Sequence, residues 1–214
     1  MNILKLMIDF IFHVDEYLGL LIQYFGIFTY VFLFLIILLE TGLVITPFLP
    51  GDSLLFVSGV FASKNILNIF VLFLLFFIAA VLGDNLNYSI GNFVGEKFFL
   101  RYGLVKKEYL EKTREFYKKH GKKTIVLARF FPIIRTIAPF IAGIGKMNML
   151  QFFVYNVLGA FLWTSIFLFG GYFFGTIPFV EKNLSFFILG IIFVSFIPVL
   201  IKSLFKKKNE KEFV

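Results

Sequence analysis

The chain lacks cysteine and has only two histidines and a single tryptophan. Without cysteine there is no disulfide framework and no thiolate-ligated metal. The histidines, His13 and His120, lie outside the interrupted apolar segments described below. A histidine nucleophile or a metal cluster, as an intramembrane lipid phosphatase needs, is therefore not supplied. A glycine-rich nucleotide loop is missing too. The expectation is a protein that is not an enzyme and holds no cofactor and no metal. Acidic residues are few, 13 against 21 lysines and arginines, for a net charge of +8. No long polar linker divides the 214 residues, so one membrane domain is the simplest count.

What fills the chain instead is apolar. Hydrophobic residues make up 59% and aromatics 21%, with 34 phenylalanines, and mean hydropathy is +0.91. A soluble domain runs at about 45–50% apolar. Several apolar runs approach or exceed about 18 residues, which marks a polytopic membrane protein. In such a chain the positive charge reads as basic loops facing anionic lipid and the cytoplasm. No nucleic-acid partner is expected. A cleavable signal peptide is not expected either, because Asp9, Asp15 and Glu16 interrupt the apolar core it would need.

Residues 1–25 read as an N-terminal interfacial helix and residues 26–203 as the membrane domain. Residues 204–214 form a basic tail, expected on the cytoplasmic side. Within the domain, an apolar run up to Glu40-Thr41-Gly42 is followed by Pro47-Phe48-Leu49-Pro50-Gly51-Asp52 and a short apolar arm ending near Ala62. Prolines and glycine punctuate helices, and the second arm is too short to span. This predicts a re-entrant hairpin over 26–63, with Pro47, Pro50 and Gly51 at its tip. Irregular backbone at membrane depth is tolerated only where protein covers it or it lines a cavity. A full span over 66–95 follows, carrying Asp84 and Tyr88. Residues 96–123 hold ten lysines and arginines and four glutamates among scattered apolar residues, as in a cytoplasmic helix lying on the headgroups.

The stretch 123–146, KTIVLARFFPIIRTIAPFIAGIGK, is apolar enough to enter a membrane yet carries Arg129, Arg135, Pro132 and Pro139. A charge at bilayer depth costs about 2.5–3.5 kcal/mol on insertion scales, so intramembrane arginines usually line a site or pathway. Each proline removes a backbone donor and disfavours helix just before it. The prediction is a second hairpin over 121–146, with Pro132 and Pro139 at its tip and two guanidiniums beside the break. Spans over 149–175 and 185–201 complete the chain.

Both halves share a plan of broken hairpin, full span and glycines four apart. Pro47-Phe48 with Gly51 echoes Pro139-Phe140 with Gly143, and Gly91/Gly95 echoes Gly171/Gly175. A hairpin returns to its own side and a span crosses once, so two such units in series are inverted. Their tips then meet near the midplane, as in secondary transporters. Glu40 and Asp52 from one hairpin would meet Arg129 and Arg135 from the other. Four charges at one depth neutralise each other and lower the cost of holding them there. Arginine matches phosphate oxygens, and a desolvated carboxylate can take and release a proton near neutral pH. Asp84 and Tyr88 are candidates to face the same cavity, although helix capping or solvation serves Asp84 equally well. The small-residue pairs also permit a homodimer.

Glu40-Thr41-Gly42 with PFLPGDSLLF (47–56), GDNLNYSIG (83–91) and ARFFPIIRTIAPFIAG (128–143) together resemble the DedA family, the bacterial branch of the VTT-domain membrane proteins. The resemblance implies paired hairpins, Glu40 and Asp52 as membrane acids needed for function, and Arg129 and Arg135 as the essential pair. It further implies movement of lipids between leaflets, with undecaprenyl phosphate or phosphatidylethanolamine as substrate, dependence on the proton motive force, and a multi-pass place in the bacterial inner membrane. A proton-coupled cation antiporter is the competing expectation.

Overall fold

The computed structural model describes residues 13–43, 51–94 and 107–182, together with 186, 187 and 190. Pro47, Pro50, Gly95 and the tail lie outside the described residues, and the last predicted span is described only at those three positions. All regular structure among the described residues is helical.

Helix α1 (Val14–Phe25) buries Val14 and Leu18 on one face. It stops at Gly26, whose φ of 51° is a left-handed conformation that costs glycine little. The Thr29 hydroxyl donates to the Leu21 carbonyl at 3.1 Å. A straight helix would hold residues eight apart about 12 Å from each other, so the chain turns a corner here. Helix α2 (Thr29–Gly42) follows, apolar until its last turn. Helix α3 (Gly51–Ser63) is buried on nearly every side, so it belongs to the interior of the bundle.

Helix α4 (Ile69–Val94) starts where Asn68 accepts from the backbone N–H groups of Phe70 and Val71, at 3.0 and 3.2 Å. Its 26 residues reach about 39 Å, enough to cross a hydrocarbon core of about 30 Å. Phe70, Leu74, Ile78, Leu82 and Leu86 stay exposed at four-residue spacing, as a lipid-facing stripe would. The opposite face, with Phe76, Ala80, Gly83, Asp84, Asn87 and Gly91, is buried.

Helix α5 (Lys107–His120) lies against the bundle through Leu110, and the Tyr117 hydroxyl donates to the Ala138 carbonyl at 2.9 Å. Burial raises that hydroxyl well above the usual phenol range, so it remains a donor. After a turn come α6 (Thr124–Ala128) and α7 (Pro132–Ile144). Phe131 between them is extended, at φ −125° and ψ 105°, as the residue before a proline prefers. Pro132 occupies the first position of α7, where its missing N–H costs nothing. Pro139 does not sit at a break as expected. It lies inside α7, where it withholds the donor that would ordinarily bond the Arg135 carbonyl.

Asn148 caps α8 (Met149–Phe174), which contains one π-helical turn at Ser165–Phe169. A short α9 (Pro178–Lys182) follows. Among the described residues, three stretches are long and apolar enough to cross a membrane: Val14–Gly42, Ile69–Val94 and Met149–Phe174, with mean hydropathies of 2.3, 2.4 and 1.8. The first of these is divided by the corner at Gly26. Length alone would make it one helix, but the hydrogen bond across the corner requires the bend.

Helix α2 packs along α4, and α4 packs along α7. Helix α3 packs against the C-terminal part of α8. Two of these crossings are built alike. A Cβ on Gly171 would strike the Phe56 carbonyl, and one on Gly59 would strike the Leu168 carbonyl. A Cβ on Gly91 would strike the Phe140 carbonyl, and one on Gly143 the Tyr88 carbonyl. Backbones this close leave room for glycine alone. The matched sets are therefore Phe56/Gly59 with Phe140/Gly143, not the expected alignment of Gly51 with Gly143. These glycines are also spent inside the chain, which removes the reason for assigning them to a dimer interface.

Candidate functional site: two arginines around one tryptophan

Arg135 sits one turn into α7 and reaches toward α2 and α3. Its Nη1 donates to Asp52 Oδ1 and its Nη2 pairs with Glu40 Oε1. Glu40 ends α2 and Asp52 begins α3. Two helices are thus tied to a third through one guanidinium. Glu40 Oε1 also accepts the Gly51 N–H at 3.2 Å, which satisfies an open donor at the start of α3. A Cβ on Gly51 would run into that carboxylate. Asp52 lies in the first turn of α3, where the helix dipole favours negative charge. The Trp163 indole N–H donates to Asp52 Oδ1 at 2.9 Å.

Arg129 stands at the end of α6, just before the extended Phe131. Its Nη2 pairs with Asp84 Oδ2 on α4 and donates to Asn156 Oδ1 on α8 at 2.6 Å and to the Ala80 carbonyl at 3.3 Å. Asn156 is fixed in turn by donating to the Val81 carbonyl at 3.0 Å. The indole of Trp163 lies between the two clusters, with its ring centroid 5.9 Å from the Arg129 guanidinium and 5.6 Å from that of Arg135. Both distances suit cation–π attraction. Asn87 joins the surrounding helices by donating to the Thr41 carbonyl at 3.3 Å and the Thr136 carbonyl at 2.7 Å.

All five charged groups are at most 9% exposed, which leaves them little water and makes partners obligatory. Three carboxylates face two guanidiniums. A small cavity touches Thr41, Asp84, Arg129, Arg135, Thr136 and Trp163. Its volume is about 10 Å³, room for roughly one water molecule. The site is therefore closed, and anything larger than water enters only if something moves.

The four charges expected from the two hairpins do meet. Their pairing differs from a simple exchange of two acids for two bases, because both acids go to Arg135. Arg129 takes Asp84, which is neither a helix cap nor solvated: it is buried in mid-helix. Tyr88 faces elsewhere. Its hydroxyl donates to the Met147 carbonyl and its ring stacks on Phe152 at 4.5 Å between centroids. Trp163, Asn156, Asn87 and Thr136 had no role in the sequence reading. The signal was there for the two asparagines, since an amide inside an apolar span must find partners.

The sequence was also compared with known proteins. The family profile described as VTT domain matches residues 49–173. Protein DedA of Escherichia coli strain K12 is 51% identical over 212 residues, covering 97% of each chain. An uncharacterized membrane protein of Mycobacterium leprae is 43% identical over 168 residues, 78% of this chain and 75% of its own. Inner membrane protein YqjA of Escherichia coli strain K12 is 34% identical over 151 residues, 70% of this chain and 69% of its own. No solved structure matches the chain. With a domain profile over more than half its length and a relative at 51% identity end to end, the chain is a membrane protein of the DedA family, carrying a VTT domain.

Proposed function

We propose that the protein moves a phosphate-bearing lipid between membrane leaflets, with undecaprenyl phosphate as the first substrate to test. The observation that carries this is the buried pair Arg129 and Arg135, held inside the bundle by carboxylates from other helices. Arginine's planar fork matches phosphate oxygens, and a resident carboxylate can give way to them. In this reading α2 with α3, and α6 with α7, are two re-entrant hairpins of an inverted repeat whose inner ends meet at the arginines. At 14 and 13 residues, α2 and α3 are each about 20 Å long, short for crossing alone. The matched glycine crossings support the repeat.

Protons enter as the counter-ion: a carboxylate released from arginine takes one up. The chemistry asks for no covalent step, no cofactor and no metal. YqjA is named an inner membrane protein, and we assign this chain to the same membrane, with its basic segments on the cytoplasmic side. The test is surface exposure of undecaprenyl phosphate, read by an extracellular headgroup probe in cells lacking or overproducing the protein. Exposure should rise on deletion and fall on restoring the native chain, but not Arg135→Ala. An unchanged exposure removes this lipid and turns the test to phosphatidylethanolamine.

A second reading, a proton-coupled cation antiporter, draws on the excess of one carboxylate over the guanidiniums. Ion exchange in vesicles that survives Arg135→Ala would favour it.

A further inference from the structure

We infer that Asp84 is an internal stand-in for the substrate's phosphate: the headgroup exchanges with the Asp84 carboxylate on Arg129, while Glu40 and Asp52 keep Arg135. The inference rests on the lipid-phosphate reading above and names the residue that reading must displace.

The two arginines are engaged differently. Arg135 gives each terminal nitrogen to a separate carboxylate, so its outer edge is taken. Arg129 bears Asp84, Asn156 and Ala80 all on Nη2. Three acceptors there share the two hydrogens of one nitrogen. Its buried Nε–H has no hydrogen-bond partner among the described residues; that of Arg135 has none either, but both terminal nitrogens of Arg135 are engaged by carboxylates. Asp84 thus holds Arg129 with one oxygen and leaves the two-point fork unused. A phosphate monoester brings enough oxygens to fill it. Gly159 packs closely against that flank, where a Cβ would stand 3.1 Å from Nε.

Access points the same way. Asp84 lines the cavity, whereas Glu40 and Asp52 do not. The space admits about one water, so no headgroup fits until a lining group withdraws. Asp84 has Arg129 as its hydrogen-bond partner among the described residues. Glu40 also caps α3 through Gly51, and Asp52 also holds Trp163. Moving Asp84 therefore breaks the fewest contacts. It sits within the unbroken helix α4, so a side-chain rotation frees Arg129 without moving backbone. The exchange is anion for anion, with no bond made or broken.

The experiment measures binding of a labelled short-chain prenyl monophosphate to the full-length protein in detergent. Fluorescence of Trp163, the single tryptophan, reports whether the ligand reaches the site. The matching prenyl alcohol and inorganic phosphate are run beside it. Asp84→Asn removes the competing charge and keeps the shape, so it should bind the monophosphate about tenfold tighter than the native chain, or more. Asp84→Glu should not tighten binding. Asp84→Ser carries the same expectation as Asp84→Asn should the latter fail to fold. Native binding that Asp84→Asn leaves unchanged or weakens overturns the inference while the proposed function stands. Tightening by Glu40→Gln equal to that of Asp84→Asn also overturns it, since the exchange would then belong to Arg135. Inorganic phosphate acting as well as the monophosphate, with Asp84→Asn still tightening, keeps the exchange and assigns it to free phosphate. No binding by the native chain or any variant overturns the proposed function itself.

Discussion

Arg135 and Arg129 lie six residues apart and share one tryptophan, yet the protein holds them in different ways. Arg135 is a structural rivet as much as a binding group. It closes α7 onto the ends of α2 and α3, and both of its acids are second partners of something else. Arg129 is held by one acid and one amide from two long helices that already pack together. The lesson is that two like residues in one motif can divide the work. One ties three helices together through two acids, and the other leaves its Nε edge without a hydrogen bond among the described residues, the edge that our proposal gives to a ligand.

The largest test of that contrast is removal of each arginine. Arg135→Ala strands Glu40 and Asp52 without a counter-charge, and breaking a buried pair costs about 3–5 kcal/mol. Arg129→Ala strands only Asp84 and should cost less. Thermal unfolding in detergent, followed by size-exclusion elution, ranks them; equal losses would erase the distinction. Next comes Trp163→Phe, which keeps a ring between the arginines but removes the N–H on Asp52. A hydrogen bond to a charged group is worth about 1.5–3 kcal/mol, so the same assay should show a loss in that range.

A pair of glycine substitutions sharpens the comparison further. Gly51→Ala drives a methyl into the Glu40 carboxylate and should cost about 1–3 kcal/mol. Gly159→Ala meets the Arg129 side chain at 3.0 Å and the Val126 Cα at 3.2 Å, both looser approaches than the one at Gly51, and should cost less. A Gly159 variant that is the worse of the two would place the rigid cluster at Arg129 instead. The smallest effect is expected in a double-mutant cycle between Glu40→Gln and Asp84→Asn. If the clusters are separate, their effects should add to within about 0.3–0.5 kcal/mol. A larger coupling would mean that Trp163 transmits between them.

Much of this was legible in the chain. The apolar runs over 66–95 and 149–175 became α4 and α8 almost to the residue, because length and hydropathy decide whether a helix can cross. The break before Pro132 was legible because proline restricts the residue before it. Pro139 misled, since a proline inside an apolar helix is tolerated when neighbouring groups take over the freed carbonyl. The likeness of the two glycine crossings was legible as a plan but not in register. Pro-Phe-x-x-Gly resembles itself by chance, whereas the actual match rests on where backbones touch.

By itself, the sequence determined that this is a helical membrane protein with two broken apolar segments, and that four charges must meet inside it. Burial in lipid leaves a charge no alternative to a partner, so the meeting of Glu40, Asp52, Arg129 and Arg135 was legible in the chain, whereas the place of Asp84 among them was not. Only the tertiary structure decided who pairs with whom. Asp84, Asn156 and Trp163 are remote in the chain from both arginines, and although a polar group in an apolar span must find a partner, nothing local says which one. They become partners because glycine-lined crossings hold α4 against α7 and α3 against α8, and that proximity is a property of packed backbones.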